Sequence, residues 1–231
     1  MPEIMMFLKS LDWSPLVISL KTGAVATVIS FFLGIAAAGL LYRAGPRVRA
    51  FADGLLTLPM VLPPTVAGFF LLLIFSLRRP FGSALYEHFG IRAVQTWLGC
   101  VLAAVVISFP LMYRNARAAF EQVDRNLVYA ARTLGMSERQ IFLQVLIPCA
   151  RPGILSGTVL TFARAMGEYG ATAMLAGNIP GKTGTISQKI AMVIQNGDFG
   201  TAGFWTGVVC VIGFAVVAIM NLAVSRSEKK S

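Results

Sequence analysis

The sequence predicts an all-α polytopic membrane protein with about five spans. Only 13% of its 231 residues are charged, whereas soluble domains usually have about 25%. Residues 152–181 form an apolar run whose only charges are Arg164 and Glu168. Four further runs carry no charge and exceed the roughly 20 residues that cross a bilayer core: 22–42, 54–77, 93–113 and 199–225. Each run is predicted to be helical, because helices satisfy their own backbone in lipid.

The apolar runs and the basic residues between them predict the spans and their orientation. We expect spans at about 15–42, 54–77, 94–116, 150–176 and 200–225. Of the 20 Lys and Arg, 12 lie in the loop at 43–53, in the region 114–151 and after residue 225, and six lie on the other side. The positive-inside rule puts the larger group in the cytoplasm, with the N-terminus outside and the C-terminus inside. Orientation explains the net charge of +10, so no nucleic-acid partner is expected.

The second span contains the segment LPMVLPPTV at 58–66. Pro63 and Pro64 have no N–H, so the carbonyls of Pro59 and Met60 lose their usual helical partners. One interpretation is a simple kink. The other is an opened helix that lines a passage, because irregular backbone at membrane depth needs protein or a cavity around it. Pro63, Pro64 and the following Thr65 are therefore candidate pore or gate residues.

The fourth span contains the segment FARAMGEYGAT at 162–172, with the only two charges of that run. Arg164 and Glu168 are four residues apart, so they can pair on one helix. Charges inside a span are costly and usually face the bundle or a pore. A structural ion pair is favoured, and both residues are also candidates for the pore or gate.

The polar segment at 121–148 interrupts the apolar runs on the predicted cytoplasmic side. It contains a predicted helix at about 121–134, a left-handed turn at Gly135, and a second helix that begins at Ser137 with Gln140 as its capping-box partner. Pro148 predicts a kink or break before the next span. One apolar stripe is predicted on the first helix: Val123, Leu127, Ala130, Ala131 and Leu134. Contact with a partner protein and contact with lipid explain this helix equally well.

Two outer loops also carry local patterns. Residues 81–92 and 184–196 have helical apolar spacing and are predicted to be short helices at the outer surface. The segment AGNIPGKT at 176–183 fits a loose nucleotide-binding pattern. A phosphate-binding loop needs a preceding strand, and Pro180 lacks a backbone N–H, so we predict a turn-rich loop instead. The chain has one His and no zinc-binding or triad pattern, so neither an enzyme nor a metal site is expected.

The cytoplasmic segment resembles the EAA loop of the membrane subunits of bacterial ABC importers. That motif reads Glu-Ala-Ala, three residues, Gly, nine residues, then Ile-x-Leu-Pro. Here YAA at 129–131, Gly135 and VLIP at 145–148 keep the spacing. Tyr129 replaces the motif glutamate, Val145 replaces the isoleucine and Ile147 replaces the leucine. In that family the loop forms a coupling helix that sits in a cleft of the ATPase subunit. The resemblance therefore implies a set of ATPase-contact residues: Tyr129, Ala130, Ala131, Arg132, Leu134 and Gly135.

The resemblance covers almost the whole chain and is greatest to the permeases of molybdate importers. It is carried by LPMVLPPTVAGFFLL, SFPLMYRNARAAFE, the long segment that contains FARAMGEYGAT, and AGNIPGKT. Sulfate and thiosulfate permeases share the FARAMGEYG style of sequence. The segment GNIPGKTGTI at 177–186 favours molybdate over sulfate as the substrate, and tungstate stays an alternative. A membrane scaffold or receptor subunit without transport is the alternative from another class.

The resemblance also implies an assembly. The fold would be the MetI-like transmembrane domain of a type I importer, in the bacterial inner membrane. Two copies of the chain would sit on two ATPase subunits, which hold ATP and Mg²⁺, so no cofactor is expected in this chain. A periplasmic oxyanion-binding protein would deliver the anion to a pore between the two copies.

Overall fold

The computed structural model describes residues 11–228, which form helices joined by short turns and contain no strand. Eleven helices follow one another in this part of the chain: α1 Ser14–Tyr42, α2 Pro46–Val61, α3 Pro64–Phe75, α4 Pro80–Phe89, α5 Trp97–Glu121, α6 Arg125–Thr133, α7 Glu138–Cys149, α8 Arg151–Met166, α9 Gly170–Leu175, α10 Ile186–Gln195 and α11 Phe199–Glu228. Helix α7 contains a π-helical turn at Phe142–Leu146. The all-α prediction is confirmed for the described residues.

Three helices of the described chain are long and apolar enough to cross a membrane: α1, α5 and the Phe199–Ile219 part of α11. Two pairs of helices pass the same criteria together but are strongly bent. The bend between α2 and α3 is 109°, and that between α7 and α8 is 73°. The chain therefore has between three and five candidate spans, and the five-span arrangement stays a prediction.

Helices α1, α5 and α8 form the centre of the molecule. Small residues on α1 allow α1 and α5 to approach each other closely, because a Cβ added at Gly34 would lie 2.8 Å from Cγ of Met112 on α5. Met112, Tyr113 and Phe120 of α5 are fully buried. Their cluster extends to Ile141 of α7 and includes the buried side of α6. The polar segment at 121–148 is thus packed onto the same core as the long helices.

Several helix boundaries in the structure differ from the predicted boundaries. The predicted second span, 54–77, is two helices, and the first of them already begins at Pro46. The predicted fourth span, 150–176, is interrupted between Met166 and Gly170. The helix predicted at about 121–134 begins only at Arg125, because α5 continues to Glu121 and the chain then turns. The short helices predicted at 81–92 and 184–196 are confirmed as α4 and α10, and their place at the outer surface stays a prediction.

Candidate coupling surface and pore residues

Helix α6 is a short helix with a well-defined cap at each end. Asp124 accepts a hydrogen bond from the backbone N–H of Asn126 at 2.9 Å, which starts the helix. At the other end the N–H of Gly135 donates to the carbonyl of Arg132, and the N–H of Met136 donates to that of Ala131. Gly135 has a φ of 77°. This is the Schellman arrangement, so the predicted left-handed turn at Gly135 is confirmed.

The predicted single apolar stripe on α6 is wrong. Val128, which the predicted stripe omits, and Ala131 face the core and are only 4% and 5% exposed. Leu127 and Leu134 are 48% and 80% exposed, and Ala130 between them is exposed as well. The helix therefore has two apolar faces, one buried and one open. Tyr129 is also exposed, at 54%.

The turn between α6 and α7 is held by Glu138. Its carboxylate accepts hydrogen bonds from Nε and Nη2 of Arg132 at 2.8 and 3.3 Å. Arg43, just after α1, lies 3.8 Å from the same carboxylate and also donates to the backbone carbonyl of Glu138. The hydrogen bond from Arg132 lowers the pKa of Glu138, and the same bond raises the pKa of Arg132. Glu138 thus connects α6, α7 and the end of α1.

If the chain is an importer permease, as its resemblance implies, we expect Glu138→Gln to lower transport several-fold while the chain stays folded. The glutamine loses the charge that both arginines share, but exposed ion pairs contribute little to stability. Because the hydrogen bond from Arg132 lowers the pKa of Glu138, its carboxylate is charged at neutral pH. The negative charge is lost only when the pH falls below the range in which glutamate usually titrates. The measurement is uptake per ATP hydrolysed in vesicles. Glu87→Gln, at an exposed glutamate on α4, is the matched control, and equal uptake in both variants would contradict this role.

Helix α7 packs against α1 through an aromatic ring. A Cβ added at Gly39 of α1 would lie 2.5 Å from Cε2 of Phe142, so the ring occupies the space that Gly39 leaves. Phe142 also makes an edge-on contact with Phe120, with ring centroids 5.5 Å apart.

The capping box predicted at Ser137 and Gln140 is confirmed. The chain then bends next to Pro148, at Ala150, before α8.

A second polar network joins α2 to α5, and the sequence reasoning missed it. Arg117 forms ion pairs with Asp53 of α2 and, at 2.9 Å, with Glu121. The hydroxyl of Tyr113 donates to Asp53 at 2.5 Å. Arg117 and Glu121 are four residues apart, which is a recognisable helical pairing. Asp53 gives no comparable local signal, because its partners are at least 60 residues away in the chain.

The break between α2 and α3 opens onto a cavity of about 350 Å³. The chain bends at Leu62 and Pro63, and Pro64 begins the next helix. The cavity is lined by residues of α2, α3, α5 and α8: Pro59, Met60, Leu62, Pro64, Ile107, Leu111 and Arg164. A bend of 109° is an opened helix rather than a simple kink. Of the predicted pore residues, Pro64 and Arg164 line this cavity, whereas Pro63 and Thr65 are outside its lining.

Arg164 and Glu168 form the predicted pair, with Nη1 and Oε2 2.8 Å apart. The two side chains differ in exposure, at 37% for Arg164 and 2% for Glu168. Glu168 lies beyond the end of α8 and also accepts the N–H of Ala171 at 2.8 Å, in the first turn of α9. The carboxylate therefore joins α8 to α9 and holds one end of a guanidinium group that borders the cavity.

The two helix breaks lie against each other. A Cβ added at Gly170 would be 3.1 Å from Cβ of Pro64 and 3.1 Å from N of Thr65. One added at Gly68 of α3 would be 2.6 Å from Cα of Ala171. Helices α3 and α9 therefore pack with their backbones in close contact. The five predicted pore residues belong to this one region.

The segment AGNIPGKT is a turn, as predicted. It follows helix α9 rather than a strand. The backbone N–H groups of Lys182, Thr183 and Gly184 all donate to the carbonyl of Ile179 at 2.9–3.1 Å. The donors that a phosphate-binding loop would present to phosphate are therefore already used within the turn.

The sequence matches the family model described as "Binding-protein-dependent transport system inner membrane component" over residues 30–228. It is 42% identical over 223 residues to "Molybdenum transport system permease protein ModB" of Escherichia coli K12, covering 96% of this chain and 95% of the relative. It is 32% identical over 213 residues to "Sulfate transport system permease protein CysT" of Salmonella typhimurium LT2, covering 92% of this chain and 76% of the relative.

The structure resembles that of a chain from the inward-facing MetNI methionine ABC transporter. The TM-score is 0.74, and the alignment covers 98% of this chain and 99% of the other. The sequence identity is 18%, so the likeness concerns the fold alone. The predicted MetI-like transmembrane fold is confirmed.

Proposed function

Because this chain belongs to the family of binding-protein-dependent transport system inner membrane components, we propose that it is the permease subunit of an ATP-driven importer of molybdate. The single observation that identifies the substrate is the 42% identity to a molybdenum permease over almost the full length of both chains. The 32% identity to a sulfate permease makes sulfate the weaker alternative. Tungstate has nearly the same size and charge as molybdate, so it stays an alternative substrate.

The test is uptake of radiolabelled molybdate into vesicles that contain this chain with its cognate ATPase and binding protein. We expect ATP-dependent uptake that excess tungstate suppresses and excess sulfate does not. If sulfate competes more strongly than tungstate, sulfate rather than molybdate is the transported anion. A complex that assembles but takes up none of the three anions would favour the scaffold or receptor alternative.

The exposed face of α6 is proposed as the surface that contacts the ATPase. Leu127, Ala130 and Leu134 form an open apolar stripe, and an amphipathic helix that presents such a stripe suits a groove in a partner. Tyr129 lies beside this stripe. Ala131 supports the surface from its buried side, and Arg132 and Gly135 hold the turn that follows. Lipid contact is the alternative for the same face.

The transport cycle is proposed to move α6 with the ATPase. Glu138 and the ring of Phe142 then transmit this movement to α1, since both contact the end of that helix. ATP and Mg²⁺ belong to the partner chain, and this chain acts as a transport subunit rather than an enzyme. Two copies of it in the bacterial inner membrane would enclose the pore, with a periplasmic binding protein supplying the anion. Coupling of this kind requires two states that the ATPase contacts differently.

The cavity at the two helix breaks is proposed to border the path of the anion. Arg164 is the one cationic residue that lines this cavity. Its ion pair with Glu168 reduces the net positive charge beside the cavity. A site on a transport path must release what it admits, so a partly neutralised guanidinium suits a dianion better than a free one.

We expect Glu168→Gln to reduce uptake about tenfold or more, because it leaves a buried network without its charge. The amide still has one oxygen for the N–H of Ala171, so the turn into α9 can persist. Uptake and thermal unfolding are measured on the same preparations, with Glu87→Gln as the matched control. Normal uptake by Glu168→Gln would exclude both a required ion pair and a role of this charge in the pore.

A further inference from the structure

A second cavity, of about 350 Å³, lies beside helix α6 and has a basic lining. It is lined by residues from the end of α1, from α2, from the end of α5 and from α6: Tyr42, Arg49, Glu121, Arg125, Val128, Tyr129 and Arg132. Three guanidinium groups and two phenols thus face one carboxylate. Arg125, Tyr129 and Arg132 come from α6 itself, at spacings of four and three residues that place them along one side of the helix.

Most of these charges already have partners. Glu121 is paired with Arg117 at 2.9 Å and lies 3.9 Å from Arg49, which also donates to two carbonyls at the end of α1. Arg132 is bound by Glu138. In contrast, Arg125 forms no ion pair with any residue in 11–228, and the hydroxyls of Tyr42 and Tyr129 have no hydrogen-bond partner there. One cation and two phenols therefore remain available at the cavity, and of these Arg125 and Tyr129 are exposed.

The neighbouring surface indicates what occupies this cavity. The exposed apolar stripe of Leu127, Ala130 and Leu134 lies on a different side of the same helix from the cavity. Tyr129, which lines the cavity, and Ala130, which belongs to the stripe, are consecutive and both exposed, so a partner that covers the outward face of α6 contacts both sides. The sequence of α6 is RNLVYAART, and of its two arginines only Arg125 lacks an ion-pair partner among residues 11–228. A partner that carries negative charge beside an apolar surface would complement this arginine.

We infer that this cavity receives a carboxylate side chain of the ATPase subunit, bound by the guanidinium of Arg125 and the hydroxyl of Tyr129. The inference rests on the proposed function and specifies its interface. Where the importer motif has a glutamate, this chain has Tyr129 next to an unpaired arginine. The polarity of the contact is therefore reversed, with the acidic group on the ATPase. An Arg–carboxylate bond in a closed interface is among the stronger polar contacts.

The test uses a zero-length carbodiimide cross-linker on the complex of Arg125→Lys with its cognate ATPase. A carbodiimide joins an amine to a carboxylate in direct contact, so we expect one cross-link from position 125 to an Asp or Glu of the ATPase, identified by mass spectrometry. Arg47→Lys, at an exposed arginine of α2, is the matched control and should give no such product. A bound ATPase without a cross-link at position 125 would overturn the inference.

A charge reversal provides the second measurement. We expect Arg125→Glu to weaken association with the ATPase about tenfold or more, since it places two carboxylates in one contact. Arg47→Glu should have little effect. Unchanged association of Arg125→Glu, together with loss of bound phosphatidylglycerol in nanodiscs, would assign the cavity to a lipid headgroup and overturn the inference. If the wild-type chain binds no ATPase at all, the proposed function fails with it.

Discussion

Gly135→Val is expected to abolish at least about nine-tenths of ATP-driven uptake while the chain still inserts into the membrane. Gly135 has a φ of 77°, a conformation that costs an L-residue about 1–2 kcal/mol and a β-branched residue more. A Cβ at this position meets nothing within 4 Å, so the effect comes from the backbone conformation and not from a clash. Relief of that strain would break the two hydrogen bonds that end α6 and move Arg132 away from Glu138.

The matched control is Gly135→Asn, because asparagine tolerates the left-handed conformation better than other side chains. We expect it to retain most of the uptake. ATP hydrolysis and uptake should be measured together, since an uncoupled complex hydrolyses ATP without importing the anion. Near-normal uptake by the valine variant would contradict the role of α6 as the coupling helix. Equal losses in the valine and asparagine variants would mean that glycine is needed for a reason other than its φ.

Local chemistry explains which features of the fold could be predicted from the sequence. The long apolar runs predicted the helical class, and the capping box at Ser137 and the turn at Gly135 each depend on residues within one helical turn. The Arg164–Glu168 pair has the same local character, with a spacing of four residues. In these cases the contacts that decide the structure lie within the segment itself.

The buried face of α6 shows why other features could not be predicted. Leu127 and Val128 are adjacent, and either can continue an apolar stripe that includes Ala131. Val128 is buried because it meets the cluster that contains Phe120 and Ile141, and these residues come from other helices. The open face thus depends on tertiary packing, and so does the cavity beside it.

The break at Pro63 has a similar explanation. The two prolines predict a loss of helical hydrogen bonds, but this loss is compatible with a small kink or with a large bend. The bend of 109° coincides with the contact of Gly170 against Pro64 and Thr65. That contact joins segments about 100 residues apart, so no pattern within the second apolar run could reveal it.

Gly68→Ala is expected to reduce uptake about tenfold and to lower the thermal stability of the purified chain. Gly68 lies in the helical part of α3, so alanine has no conformational penalty there. Its Cβ would be 2.6 Å from Cα and 2.9 Å from the carbonyl oxygen of Ala171. Both atoms belong to the backbone, so α9 must shift as a unit. Overpacking of this kind costs about 1–3 kcal/mol.

The shift of α9 would also alter the pore region, because Ala171 donates its N–H to Glu168. Gly213→Ala on α11 is the matched control, since a Cβ there meets nothing within 4 Å and alanine favours helix. The control should keep full uptake and equal or higher stability. If Gly68→Ala loses stability but keeps its uptake, the close contact of α3 and α9 is structural and the anion path lies elsewhere. If it loses uptake but not stability, the contact is needed for the moving states of the permease.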